Sequence, residues 1–365
     1  MSTLLVATRK GLFVVQGEGT RWHITSHHFA GEPVTQVLCD ARDGSWVAAL
    51  RLGHFGVKLH KSHDKGQSWQ AIGAPAFPTK PADGPMTNDP TPWSVDMVWS
   101  LAAGGAHERD TLWAGCLPAG LFKSVDGGTS WALNQPLWEE PRRLAWMGGG
   151  YDHAGIHSIL VDPRDPCHLT LAVSCGGVWQ TRDGGTSWSL TASGMKASYL
   201  PPEHPDEGNA QDPHCLVQCA AQPDVLWLQH HCGIYRSTDG GMAWQPIAAP
   251  DPSGFGFAVA CDPRNPQRAW FVPAQADACR IPVDGHMVVT RTDDGGASFQ
   301  AYSEGLPPHH AYHLVYRHGL AVSDDGQTLA LASTTGGLWL SAYGGVSWHC
   351  VTRDLPPVAA VQFAN

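Results

Sequence analysis

SVDGGTSW, running from Ser124 to Trp131, is the stretch on which the reading of this chain turns. It recurs as SHDKGQSW (Ser62 to Trp69), TRDGGTSW (Thr181 to Trp188) and STDGGMAW (Ser237 to Trp244). TDDGGASF (Thr292 to Phe299) is a looser copy, and SAYGGVSW (Ser341 to Trp348) carries Tyr343 where the aspartate should be. GEGTRW, ending at Trp22, keeps only the tail. The closing aromatics, at 22, 69, 131, 188, 244, 299 and 348, are 47 to 62 residues apart. Repetition at such a period marks a propeller, a solenoid or an array.

Each copy has the chemistry of a hairpin turn. Asp-Gly and Gly-Gly supply the positive φ of a tight reversal, and the Asp and Ser/Thr side chains can bond backbone amides inside the loop. Apolar runs precede the copies: GLFK (Gly120 to Lys123), GVWQ (Gly177 to Gln180), GIYR (Gly233 to Arg236) and GLWL (Gly337 to Leu340). They read as strands. Each copy is therefore expected to join the third and fourth strands of a four-stranded blade, with its aromatic packing under the turn.

These residues resemble the Asp-box, or bacterial neuraminidase repeat, S-x-D-x-G-x-x-W. Sialidases, sortilin-type receptors and photosystem II assembly factors carry it on propeller domains. The resemblance covers nearly the whole chain and implies an all-β, seven-bladed β-propeller. It implies little about function, because the box is a structural staple remote from the sites these families use. The blades are expected to form a single domain, 1–365, closed by the C-terminal VAAVQFAN (Val358 to Asn365) as the missing strand of blade one.

Composition narrows the function classes. A formal net charge of −10 argues against nucleic acid or an anionic membrane as partner, and no run is apolar and long enough to span a bilayer. The start, MSTLLVATRKGLFVVQG, reads as two strands rather than a signal peptide. Ten cysteines without disulfide or zinc-ribbon spacing suit a reducing compartment, with Cys39, Cys219 and Cys261 as small buried groups. The expected location is cytoplasmic.

The chemistry is expected from histidines. Long connections fall between blades or between second and third strands: Pro75 to Pro92 (read as a surface flap), Glu139 to His157, Met195 to His214, and Pro273 to Met287. Both kinds of connection open onto one face of a propeller, around the channel mouth. His153, His157, His214, His230, His231, His309, His310, His313 and His318 lie on such connections. Blade alignment puts Arg9, Cys175, His231 and Thr335 at one equivalent position, and His157 and His318 at another. Imidazole is both the commonest metal ligand and the commonest acid/base group.

His157, His214, His231 and His318 are accordingly expected to hold a divalent metal, zinc first, with iron, manganese or copper as alternatives. His153, His230 or His313 would move the proton, and Arg51 would clamp a small anionic or cyclic substrate. Asp96, Asp152 and Asp212 are possible ligands or orienting partners. The expected activity is metal-dependent hydrolysis or elimination on a small molecule.

Two other readings stay open. One is a non-catalytic binding or assembly propeller, as the similarity to photosystem assembly factors implies. The other is a glycosidase, sialidase-like, or a polysaccharide lyase. A sialidase would need an arginine triad, a Tyr/Glu pair and R-I-P ahead of the first box, whereas Arg280-Ile281-Pro282 falls in blade six and the triad cannot be assembled. Trp93, Trp99, Trp138 and Trp146 either stack on a ring substrate or pack the core. Arg142-Arg143 is a solvated pair or a carboxylate holder.

Overall fold

In the computed structural model, which describes residues 2–83 and 86–364, the chain is a seven-bladed β-propeller of four-stranded antiparallel sheets. The first blade is built from Ser2–Thr8, Gly11–Glu18 and Arg21–His28, with Val358–Ala364 paired to Ser2–Thr8. The C-terminal strand thus fills the place foreseen for it and closes the propeller, while Asn365 lies outside the described residues. Val358, Val361 and Phe363 are buried beneath that pairing, against Leu4, Val6 and Trp22.

The boxes do join third to fourth strands. In SVDGGTSW the Ser124 hydroxyl donates to Asp126 Oδ1 (2.8 Å), and the Gly128 amide donates to Ser124 Oγ (2.9 Å). The Ser130 amide and hydroxyl then donate to the two Asp126 oxygens (2.8 and 2.6 Å). Gly127 and Gly128 have φ of 71° and 95°, left-handed values at which a side chain would be strained. The same net recurs around Asp64, Asp183 and Asp294. Tyr343 supplies no carboxylate, but its turn keeps the Tyr343 and Gly345 amides on Ser341 Oγ (3.4 and 3.0 Å). The aromatics tie neighbouring blades: the Trp131 indole donates to the Gly73 carbonyl and that of Trp188 to Asn134 Oδ1, both at 2.9 Å.

The sheets fall into two compact groups, Thr35–Pro213 and Met1–Val34 with His214–Asn365. Within the first, side chains of one blade's opening strand reach backbone carbonyls of the next. Thr35 Oγ1 donates to Val98, Gln36 Nε2 to Trp99, and Ser100 Oγ to Ile156. Within the second, His214 Nδ1 donates to the Gly256 carbonyl (2.7 Å), and the Val361 amide to that of His318 (2.8 Å).

The Pro75–Pro92 insertion is not a flap, although Gly84 and Pro85 lie outside the described residues. Asp89 and Arg143 form a buried ion pair, and the Arg143 guanidinium lies 3.8 Å from the Trp138 ring centroid. Phe77 packs on Trp93, Phe122 and Trp138. Arg143 is thus a structural anchor and not a carboxylate holder for substrate, because its guanidinium is spent inside the chain. No helix among the described residues is long and apolar enough to cross a membrane.

Two outcomes follow from these contacts. Truncation after Pro357 removes three large buried apolar side chains, Val358, Val361 and Phe363, besides the smaller Ala360 and Ala364. At roughly 1.5–3 kcal/mol for each large one it should cost about 5 kcal/mol or more in urea unfolding. Hydrogen bonds from Ser68, Ser130, Ser187 and Ser298 hold the Asp64, Asp126, Asp183 and Asp294 carboxyls at about 2, below the ordinary 3.8. Their stabilisation is complete above about pH 4 and is lost as pH falls through about 2. Thermal melts should therefore decline across that window, and Ser130→Ala should raise the Asp126 titration seen by NMR.

Candidate metal centre

Strand geometry assembles the site. Asp212 and His214 are two apart where the fifth blade begins, in Gln211-Asp212-Pro213-His214, and alternate residues of an extended chain point to the same side. His231 lies in the turn after the second strand of that blade, Leu226–His230. Asp212, His214 and His231 each offer one ligand atom, and these atoms lie within 4.8 Å of one another. Asp212 and His214 are buried and His231 is half-buried.

Each of the two buried members is held from behind. The Cys175 amide donates to Asp212 Oδ1 (3.0 Å). The Gly256 carbonyl only accepts, so His214 Nδ1 carries the proton and Nε2 carries the lone pair that a metal would take. Phe257 stacks on the His214 ring at 4.3 Å and 12°, while His231 and Phe255 meet it edge-on at 5.4 and 5.8 Å. Two imidazoles and a carboxylate fit zinc with an open position, or iron(II).

The remaining expected residues have other positions. His157 is fully buried: Nε2 donates to the Pro213 carbonyl (2.8 Å) and Nδ1 lies 3.0 Å from Ser158 Oγ. Nε2 ties this strand to the one that opens with Pro213, and Nδ1 is occupied by the neighbouring Ser158, so His157 is a staple and not a ligand as the chain stands. His318 is half-buried and joins Val358–Ala364 through its backbone. His230 is fully buried, its Nδ1 accepting from the Cys232 amide (3.0 Å). His153 is half-buried and, with His318, lies outside the converging group.

Arg51 turns its fork on Asp96, with Nη2 3.0 and 2.7 Å from the two oxygens. It is therefore engaged by a carboxylate of the chain itself. Arg280 pairs likewise with Asp277 and lies 5.3 Å from the Phe257 centroid. Trp99 and Trp138 are core residues, and the Trp146 indole is fixed on Asn209 Oδ1 (2.8 Å). His313 meets Ser333 and Thr335. The carboxylate of the trio had a legible signal, the Asp-x-His spacing at the head of a strand.

No protein-family model matches the chain. It is 25% identical over 297 residues to xyloglucanase Xgh74A of Acetivibrio thermocellus, covering 70% of this chain and 32% of that protein. It is 24% identical over 231 residues to an oligoxyloglucan-reducing end-specific xyloglucanase of Emericella nidulans, covering 55% and 26%. The chain thus spans about a third or less of the length of these curated relatives.

Among solved structures, an ancestral GH74 enzyme superposes with a TM-score of 0.59 at 18% identity, covering 100% of this chain and 40% of that one. The periplasmic gluconolactonase PpgL of Pseudomonas aeruginosa does so with 0.58 at 14%, covering 100% and 99%. At such identities the structural likeness shows the fold.

His157→Ala would strand the Pro213 carbonyl and open a cavity, costing about 2–4 kcal/mol in chemical denaturation. Its metal content should equal that of the parent.

Proposed function

We propose that this protein is a metal-dependent hydrolase acting on a carbohydrate or sugar-derived small molecule, with Asp212, His214 and His231 holding the metal. The observation that carries the reading is the convergence of those three ligand atoms within 4.8 Å. Such a metal would polarise the scissile carbonyl or acetal oxygen, or acidify a bound water. The chain's own part is orientation. The Gly256 carbonyl fixes the His214 tautomer, the Cys175 amide aims the Asp212 carboxylate, and Phe257 covers one face of the His214 ring. His231 and Phe255, both half-buried, meet edge to face with ring centroids 5.7 Å apart.

The substrate class draws on the comparisons: the curated relatives are xyloglucanases, and one neighbour in fold is a gluconolactonase. We propose a cytoplasmic location in the same spirit, since the ten cysteines are thiols.

A second reading, a metal-independent glycosidase, is favoured by the xyloglucanase match, since glycoside cleavage by a carboxylate pair needs no metal. Elemental analysis separates the two. The parent should carry about one zinc or iron per chain, and His231→Ala should lose it while keeping the parent's melting point within a few degrees. Hydrolysis of xyloglucan oligosaccharides and aldonolactones should vanish on chelation and return with zinc. Cleavage that survives both chelation and His231→Ala would replace the metal reading with the glycosidase one.

A further inference from the structure

We infer that the turn between the second and third strands of the seventh blade carries a separate reactive centre, with Thr335 as nucleophile and His313 as its base. The turn links Leu329–Ala332 to Leu338–Ser341, and Thr335 is exposed on it. His313 comes from the segment before the blade, and the Thr334 amide on the Leu314 carbonyl (2.8 Å) holds the two segments together. Thr335 Oγ1 is 2.5 Å from His313 Nδ1. Ser333 Oγ lies 3.0 Å from the same nitrogen and 3.1 Å from Thr335 Oγ1, and it accepts the Gly337 amide (3.0 Å).

One proton assignment gives each hydroxyl a single acceptor: Ser333 donates to Thr335, and Thr335 donates to His313 Nδ1. The nucleophilic oxygen thus faces a base on one side and a donor able to stabilise its alkoxide on the other. Trp339 meets the imidazole edge-on at 4.9 Å and fixes its plane. Burial and the nearby Arg353 charge both lower the His313 pKa, so the ring is neutral and able to accept a proton at pH 7.

The chemistry this permits is acyl transfer from small activated esters. Thr335 Oγ1 bonds to the acyl carbon, the ester C–O bond breaks, and the hydroxyl proton passes through His313 to the leaving oxygen. Water then attacks the threonyl ester with His313 taking its proton, and Thr335 is regenerated. No metal enters the step, so this inference stands apart from the metal centre.

The test is p-nitrophenyl acetate hydrolysis by chelator-treated full-length protein, with peptide mass mapping of the acetylated intermediate. The acetyl group is expected on the peptide bearing Thr335, with release rising as the imidazole deprotonates. Thr335→Ala should abolish the adduct and Thr335→Ser should keep it. His313→Gln should slow release by about a hundredfold or more. An adduct elsewhere, or an unchanged rate in Thr335→Ala, would overturn the proposal. Thr335 is exposed, so these two variants remain informative even if His313→Gln unfolds.

Discussion

Everything in this molecule depends on one strand pairing between residues from opposite ends of the chain. Val358–Ala364 lies antiparallel to Ser2–Thr8, from Thr3 opposite Ala364 to Thr8 opposite Val358. Without it, the first blade would have three strands and an open edge of unpaired amides and carbonyls. Such pairing is distant in sequence, so the chain gains its reward only after a costly loop closure. The side chains beneath the strand, Val358, Val361 and Phe363, supply apolar burial that offsets this cost.

The blades also share a division of labour between their two ends. At the box end, carboxylate and hydroxyl groups saturate one another locally, and the Trp131 and Trp188 indoles reach to an adjoining blade. At the opposite end, opening strands reach across to neighbouring carbonyls. His157 and His214 illustrate how little separates a staple from a ligand. Both donate to a carbonyl on the opening strand of the next blade, at 2.8 and 2.7 Å. His157 uses Nε2 for that bond and has Ser158 beside its other nitrogen. His214 uses Nδ1 for it, which makes Nε2 the nitrogen that a metal would take.

Much of the fold was legible because turn chemistry is local. Asp126 with Ser124 and Ser130 spells its own hydrogen-bond net within seven residues, and repetition of the motif counts the blades. The site was less legible. Burial of Arg143 and the ion pair of Arg51 with Asp96 depend on neighbours remote in sequence, which no spacing rule names. The Pro75–Pro92 segment has the composition of a loose loop, yet Asp89 and Phe77 find buried partners and bind it down. Polar residues in such places choose between solvent and a partner by the geometry of the folded chain.

The sequence by itself determined the four-stranded blade, the box hairpins, the closing strand and the general neighbourhood of the histidines, because each follows from short-range periodicity and turn-forming residues. Only the tertiary structure decided which imidazoles converge, which nitrogen each presents, and which cations are already satisfied. Those outcomes are set by side-chain direction and by carbonyls and carboxylates supplied from other strands. Hydrogen bonding is a matter of tenths of an ångström and of angle, and such quantities exist only once the strands have packed.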